Sequence, residues 1–138
     1  MCWVTHYTPV EKVAEEDIPV FKYVCGDDLV SYYFTEHKYV IGETLYTTLG
    51  YPSPIPGLRG SKSIGRGFHT YGNECTVKEF DRYLYVYPPC NNYHIGSYHL
   101  YKLRRVECTI PKGSHYYVNN DMEYVSDMII VNRISKKY

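Results

Sequence analysis

The chain has no run of about 18 apolar residues, so no membrane-spanning helix is read from it. Its start lacks a basic segment leading into an apolar stretch, and no secretory signal is visible. Its five cysteines (Cys2, Cys25, Cys75, Cys90, Cys108) include no C-x-x-C pair. An odd, widely spaced set argues against a disulfide framework and fits a reducing compartment, so a cytoplasmic protein is expected. Internal repeats and low-complexity tracts are missing. So is a Walker-type phosphate loop, because no lysine stands in the required glycine register. Spacing alone assigns no Ser–His–Asp set and no pair of catalytic carboxylates.

What is present is a chain of 138 residues, 44% hydrophobic and 22% charged, the size and balance of one folded domain. Eighteen of those residues are tyrosine. Tyrosine favours strands, where the ring packs and the hydroxyl reaches water or a ligand. The net charge of zero conceals a segregation. Residues 1–43 hold three Lys/Arg and eight Asp/Glu, whereas residues 44–106 hold eight and three. Between Glu43 and Glu74 there is no acidic residue, yet Arg59, Lys62 and Arg66 lie there. That asymmetry suggests an anionic partner for the middle segment, or pairing with the acidic N-terminal arm within the chain or across a dimer.

The pattern of elements predicts an α+β domain, a mainly antiparallel sheet with one good amphipathic helix. Thr8-Pro9-Val10-Glu11 has the form of a capping box and predicts a short helical turn before Pro19. Val20 to Val24 and Leu29 to Phe34 read as a hairpin, and Tyr39 to Thr48 as a strand with a bulge at Gly42. Residues 50–67, with three prolines and five glycines, read as one long loop. Gly67 to Tyr71 is a short strand. Thr76-Val77-Lys78-Glu79 opens the helix, about 76–87, and Val77, Phe80, Leu84 and Tyr87 share one of its faces. Leu100 to Ile110 is a strand, and His115 to Val118 with Tyr124 to Val131 forms a closing hairpin through Asn119-Asn120-Asp121.

The strongest candidate chemistry is the segment Gly57 to Gly67. Glycines let backbone N–H groups converge on an anion, serines add donors, and Arg59, Lys62 and Arg66 supply charge for phosphate. Arg104 and Arg105 form a second basic cluster with His99 and Lys102. Adjacent strand residues point to opposite faces, so one of the two arginines can share a site with the loop. Phe68, His69 and Tyr71 offer rings and a hydrogen-bonding group for a base. The absence of net positive charge argues against duplex nucleic acid. Cys90, His94 and His99 loosely suggest zinc, but a fourth ligand from Cys75 or Cys108 would be needed, so no metal or other cofactor is assigned. Cys2 would become an N-terminal nucleophile if Met1 were removed.

Met1-Cys2, Glu16-Asp17-Ile18-Pro19-Val20-Phe21-Lys22, Gly67-Phe68-His69-Thr70-Tyr71, Ile110-Pro111-Lys112-Gly113-Ser114-His115-Tyr116-Tyr117 and Tyr124-Val125-Ser126-Asp127 together resemble a family of short phage, prophage and gut-bacterial proteins. Small phage proteins of this general kind include counter-defence sponges that sequester cyclic nucleotide or cyclic ADP-ribose signals. The resemblance implies a non-enzymatic binder of a small phosphorylated nucleotide, with a second subunit as one way of closing its site. A fainter likeness is to the ADP-ribosyltransferase fold, in which Asp127 stands at the position of the catalytic glutamate and no Ser-Thr-Ser motif is present. The alternatives are therefore an altered transferase, an N-terminal-cysteine enzyme, or a tyrosine-plated protein-interaction module.

Overall fold

The computed structural model describes residues 3–26, 29–31, 38–73 and 103–137. All regular structure within them is β: β1 (Trp3–Thr5), β2 (Lys12–Val13), β3 (Ile18–Cys25), β4 (Val30–Ser31), β5 (Thr44–Tyr46), β6 (Ser53–Ile55), β7 (Leu58–Ile64), β8 (Phe68–Gly72), β9 (Leu103–Ile110), β10 (His115–Val118), β11 (Glu123–Ser126) and β12 (Met128–Lys137). The expected α+β class is thus corrected to an all-β arrangement of two antiparallel sheets among the described residues. The helix expected at about 76–87 lies outside them.

The larger sheet runs β2-β10-β11-β8-β3-β9-β12-β5, with β4 added beside β3, and the smaller runs β1-β7-β6. In the larger sheet β11 and β12 are separated in sequence by Asp127 alone, yet β8, β3 and β9 lie between them in the ladder. A path of hydrogen bonds that leaves the chain at Ser126 returns to it at Ile130, so the sheet must curl on itself around its core. The expected strand Tyr124 to Val131 is therefore two strands with different neighbours. Asp127 pins the change of partner: its Oδ1 accepts from the His115 N–H at 2.9 Å, and its own N–H donates to the His115 carbonyl at 3.0 Å.

Alternation fills the inside of the curl. Val20 and Val24 on β3, Val106, Cys108 and Ile110 on β9, Ile129 and Val131 on β12, Phe68 on β8 and Tyr124 on β11 make one buried cluster. The small sheet covers part of the outside, where Trp3 and Ile64 pack with Tyr117 and Val125. Polar bonds fix that layer in place. Trp3 Nε1 donates to the Glu123 carbonyl at 2.8 Å. Asn119, 5% exposed, accepts from the N–H groups of Asp121 and Glu123 and donates to the Val4 carbonyl and to Glu123 Oε1.

Three local readings change with the structure. The N-terminal helical turn is replaced by β2, because Ala14 donates to the Ser114 carbonyl and Gly113 to the Ala14 carbonyl, drawing the segment into the ladder with β10. Acidic Glu15, Glu16 and Asp17 would have opposed the dipole of such a helix at its C-terminal end, so the strand has little to overcome. The long loop is largely the hairpin β6–β7. Pro54 is tolerated because β6 is an edge strand, and Ile55-Pro56-Gly57-Leu58 closes the hairpin with Gly57 at φ 80°, the geometry of a type II turn. Gly42, at φ 83°, belongs to a turn before β5 rather than to a bulge within one long strand.

Candidate ligand-binding face

The outward-pointing residues of β8, β3, β9 and β12 gather the chemistry. Because Val20 and Val24 face the core, Phe21 and Tyr23 must face out. Register then sets their neighbours. Tyr71 lies opposite Phe21, Phe21 opposite Glu107, and Glu107 opposite Arg133. Two residues along β3, Tyr23 lies opposite Arg105, and Arg105 opposite Lys136. His69 shares this face, since Phe68 and Thr70 on either side of it are buried.

The aromatic members touch. Ring centroids are 5.4 Å apart for Phe21–Tyr71, 5.8 Å for Phe21–Tyr23 and 6.1 Å for Tyr23–Tyr71. The Arg105 guanidinium carbon sits 4.1 Å from the centroid of Phe21, a cation–π contact that holds the charge against the ring cluster. Phe21 and Tyr23 are 1% and 4% exposed and form the base of the platform, whereas His69, Tyr71 and Arg105 are half-buried at its surface. Beside them Arg133 binds Glu107 through two hydrogen bonds, of 2.6 and 2.9 Å. Those bonds hold the Glu107 carboxyl below its ordinary range. That acid is thereby neutralised at the edge of the face.

His69 closes one side. Its Nε2 donates to the Gly65 carbonyl at 3.0 Å, and burial lowers its pKa, so at neutral pH the neutral ring leaves Nδ1 as an acceptor. Beneath it the β3–β8 ladder stops after the Val20–Gly72 and Phe21–Tyr71 pairs. Past that point the His69 carbonyl accepts a hydrogen bond from the Lys22 ammonium, at 2.8 Å. Lys22 shares a face with Val20 and Val24 and is the one cation sent to that side of β3. Desolvation lowers its pKa from 10.5 to about 8, with a weaker upward pull from Cys108. Its Nζ also lies 5.9 Å from the Tyr39 ring centroid. The Cys108 thiol is buried, and burial raises it from 9.0 to about 12, so it stays protonated.

The residues expected to bind ligand separate into two groups. His69, Tyr71 and Arg105 meet on the one outer face. Arg104 points the other way, with Val24 and Val106, and is 7% exposed. Phe68 turns into the core. Arg59 and Arg66 are exposed at opposite ends of β7. An extended strand separates Arg59 from Ile64 by roughly 17 Å, so Arg59 and Arg66 are not neighbours on one face. Lys62 lies beside Thr5 on β1, and β7 reaches the outer face only near Gly65. Phe21, Tyr23 and Lys136 join the face without having been singled out. Alternation along Val20–Val24 could have revealed the first two, but nothing in the sequence places Lys136 beside Arg105.

Among the described residues no group of His, Cys, Asp and Glu could hold a metal ion. Of the suggested zinc ligands, Cys75, Cys90, His94 and His99 lie outside the described residues, as does Cys2. No helix of the described residues is long and apolar enough to cross a membrane. Compared with protein-family models, curated proteins and solved structures, the chain matches none.

Proposed function

We propose that the chain binds a small phosphorylated nucleotide on the outer face of β8-β3-β9-β12 and acts by sequestering it rather than by turning it over. One observation carries this reading: four strands distant in sequence bring Tyr71, His69, Arg105 and Lys136 together over a buried Phe21–Tyr23 base. A planar base finds Tyr71 and the Arg105 guanidinium plane to stack on, and His69 Nδ1 can accept a hydrogen bond from an exocyclic amine. Arg105 and Lys136 concentrate the positive charge that a phosphate group seeks, and guanidinium adds bidentate geometry. A sequestering role also follows from the resemblance to small phage proteins. The Asp127 carboxylate is engaged with the backbone where the chain changes partner, which favours binding over transferase chemistry.

Calorimetry against cyclic ADP-ribose isomers and cyclic di- and trinucleotides tests the reading. Binding that is lost in Tyr71→Ala and weakened at least tenfold in Lys136→Ala, with Arg59→Ala unaffected, is the expected result. Silence across the panel, or equal loss in Arg59→Ala, overturns it. Turnover of NAD that disappears in Asp127→Ala would establish the transferase alternative instead.

A further inference from the structure

The outer face is ordered by charge from one end to the other. Register places Glu123 opposite Tyr71, Tyr71 opposite Phe21, and Phe21 opposite Glu107, one row across four strands. Opposed residues of antiparallel strands share a face, so Glu123 stands beside the Tyr71 ring. The neighbouring row ends in Arg105 and Lys136. Glu107 is engaged by Arg133, which leaves Glu123 as the acid at the β11 end and the cations at the β9–β12 end. β11 and β9 are three strand spacings apart, roughly 14 Å along the sheet.

Glu123 is held in a defined pose. Its N–H donates to Asn119 Oδ1 at 3.0 Å, its carbonyl accepts from Trp3 Nε1 at 2.8 Å, and its Oε1 accepts from Asn119 Nδ2 at 2.9 Å. Its Oε2 takes no hydrogen bond among the described residues. Trp3, His69, Tyr71 and Glu123 border one small hollow of about 10 Å³. Partial burial raises the Glu123 carboxyl above its ordinary range, against the downward pull of the Asn119 hydrogen bond. A half-desolvated carboxylate gains most from a ligand that brings N–H donors to it.

We infer that Glu123 selects the base, and that the ligand of this face is a guanine nucleotide rather than an adenine nucleotide; the inference rests on the nucleotide reading above. Guanine presents adjacent N1–H and N2–H donors along one edge. They match the two carboxylate oxygens, each of which can accept more than one hydrogen bond. The second proton of the N2 amine is left for His69 Nδ1. Adenine brings an unprotonated N1 to the same place, so a lone pair faces the carboxylate and its amine alone remains to bond. A base stacked on Tyr71 with its donor edge toward β11 sends its sugar and phosphate along the face toward Arg105 and Lys136. Specificity then comes from repulsion of the wrong base as much as from attraction of the right one.

Calorimetry of the full wild-type chain with GMP, IMP and AMP tests the inference, and cyclic di-GMP against cyclic di-AMP repeats the test on larger ligands. Affinity should fall in the order GMP, IMP, AMP, because IMP keeps the N1–H and lacks the N2 amine. GMP should bind at least about tenfold more tightly than AMP. Glu123→Gln should bring the GMP-to-AMP ratio to roughly one, since an amide can accept from the adenine amine and donate to a ring nitrogen. A merely structural role for Glu123 would lower both affinities together and leave their ratio alone. AMP bound as tightly as GMP by the wild type, or a ratio unchanged in Glu123→Gln, overturns the inference while nucleotide binding stands. Silence toward every one of these nucleotides overturns the nucleotide reading itself, and the choice of base with it.

Discussion

The two faces of the β3–β9 ladder are built from opposite materials. Inside stand Val20, Val24, Val106, Cys108 and Ile110, with Lys22 and Arg104 as the charged exceptions. Outside stand Phe21, Tyr23, Arg105 and Glu107, each one residue away in sequence from an aliphatic neighbour. The inner face is chosen for volume and dryness. The outer face keeps aromatic rings under 4% or less exposure at Phe21 and Tyr23, yet surrounds them with charge. A sheet that needed only to fold could have left its outer face polar; burying rings under a guanidinium builds a rigid, charged platform. On the proposed reading, the difference separates stability from binding along single strands.

The sharpest way to break that division is on the inner side. Ile110→Ala, at a fully buried position, should cost about 2–5 kcal/mol in urea denaturation while nucleotide affinity at low temperature is unchanged. Gly67→Ala should approach that effect: at φ 141° the added carbon would lie 2.5 Å from Val125 Cγ1, and no side chain fits there without moving β11. Asn119→Ala removes the link between Val4, Glu123 and the β10–β11 turn. It should cost about 1–3 kcal/mol, because the N–H groups of Asp121 and Glu123 and the Val4 carbonyl lose their partner, and ligand binding should persist.

Next in size is the response to pH, measured as denaturation midpoints of paired variants. Between pH 8 and 10.5 the unfolded chain still holds the Lys22 proton that the folded chain has shed, so Lys22 makes stability rise with pH; Lys22→Met should flatten that rise. Cys108 acts the other way. Between pH 9.0 and 12 the folded chain keeps a thiol proton that the unfolded chain loses, so stability falls, and Cys108→Ala should soften the fall. The smallest effect is expected at the exposed Glu107–Arg133 pair. Glu107→Gln should leave the denaturation midpoint unchanged within error. Its signature should appear in binding instead, because removing the acid leaves Arg133 as an additional cation beside Lys136.

Much of the strand pattern was legible because alternation is a local signal. Phe68 to Gly72, Leu103 to Ile110 and His115 to Val118 fall where period-two reasoning puts them. The misreadings share a physical cause. Thr8 to Glu11 satisfies a helix-start rule, but a ladder partner at Ser114, a hundred residues away, decides the outcome. Residues 50–67 look like loop by composition, yet glycine and proline there mark one tight turn and an edge strand. The site was half visible. His69, Tyr71 and one of the paired arginines could be named as candidates, and of the two arginines it is Arg105 that lies on the aromatic face, against Phe21. The convergence of Lys136 on Arg105 depends on register across thirty-one positions, which no sequence window contains.

The junction at Asp127 has a mechanical consequence. Since one covalent chain serves as both the first and the last stave of the curled sheet, the ring cannot be unzipped progressively from a free seam. Opening it requires one whole seam to part, and the two-pair β8–β3 seam is the shortest of them. Amide protons that bond β3 to β9, across the longest seam, should consequently exchange with solvent last and together.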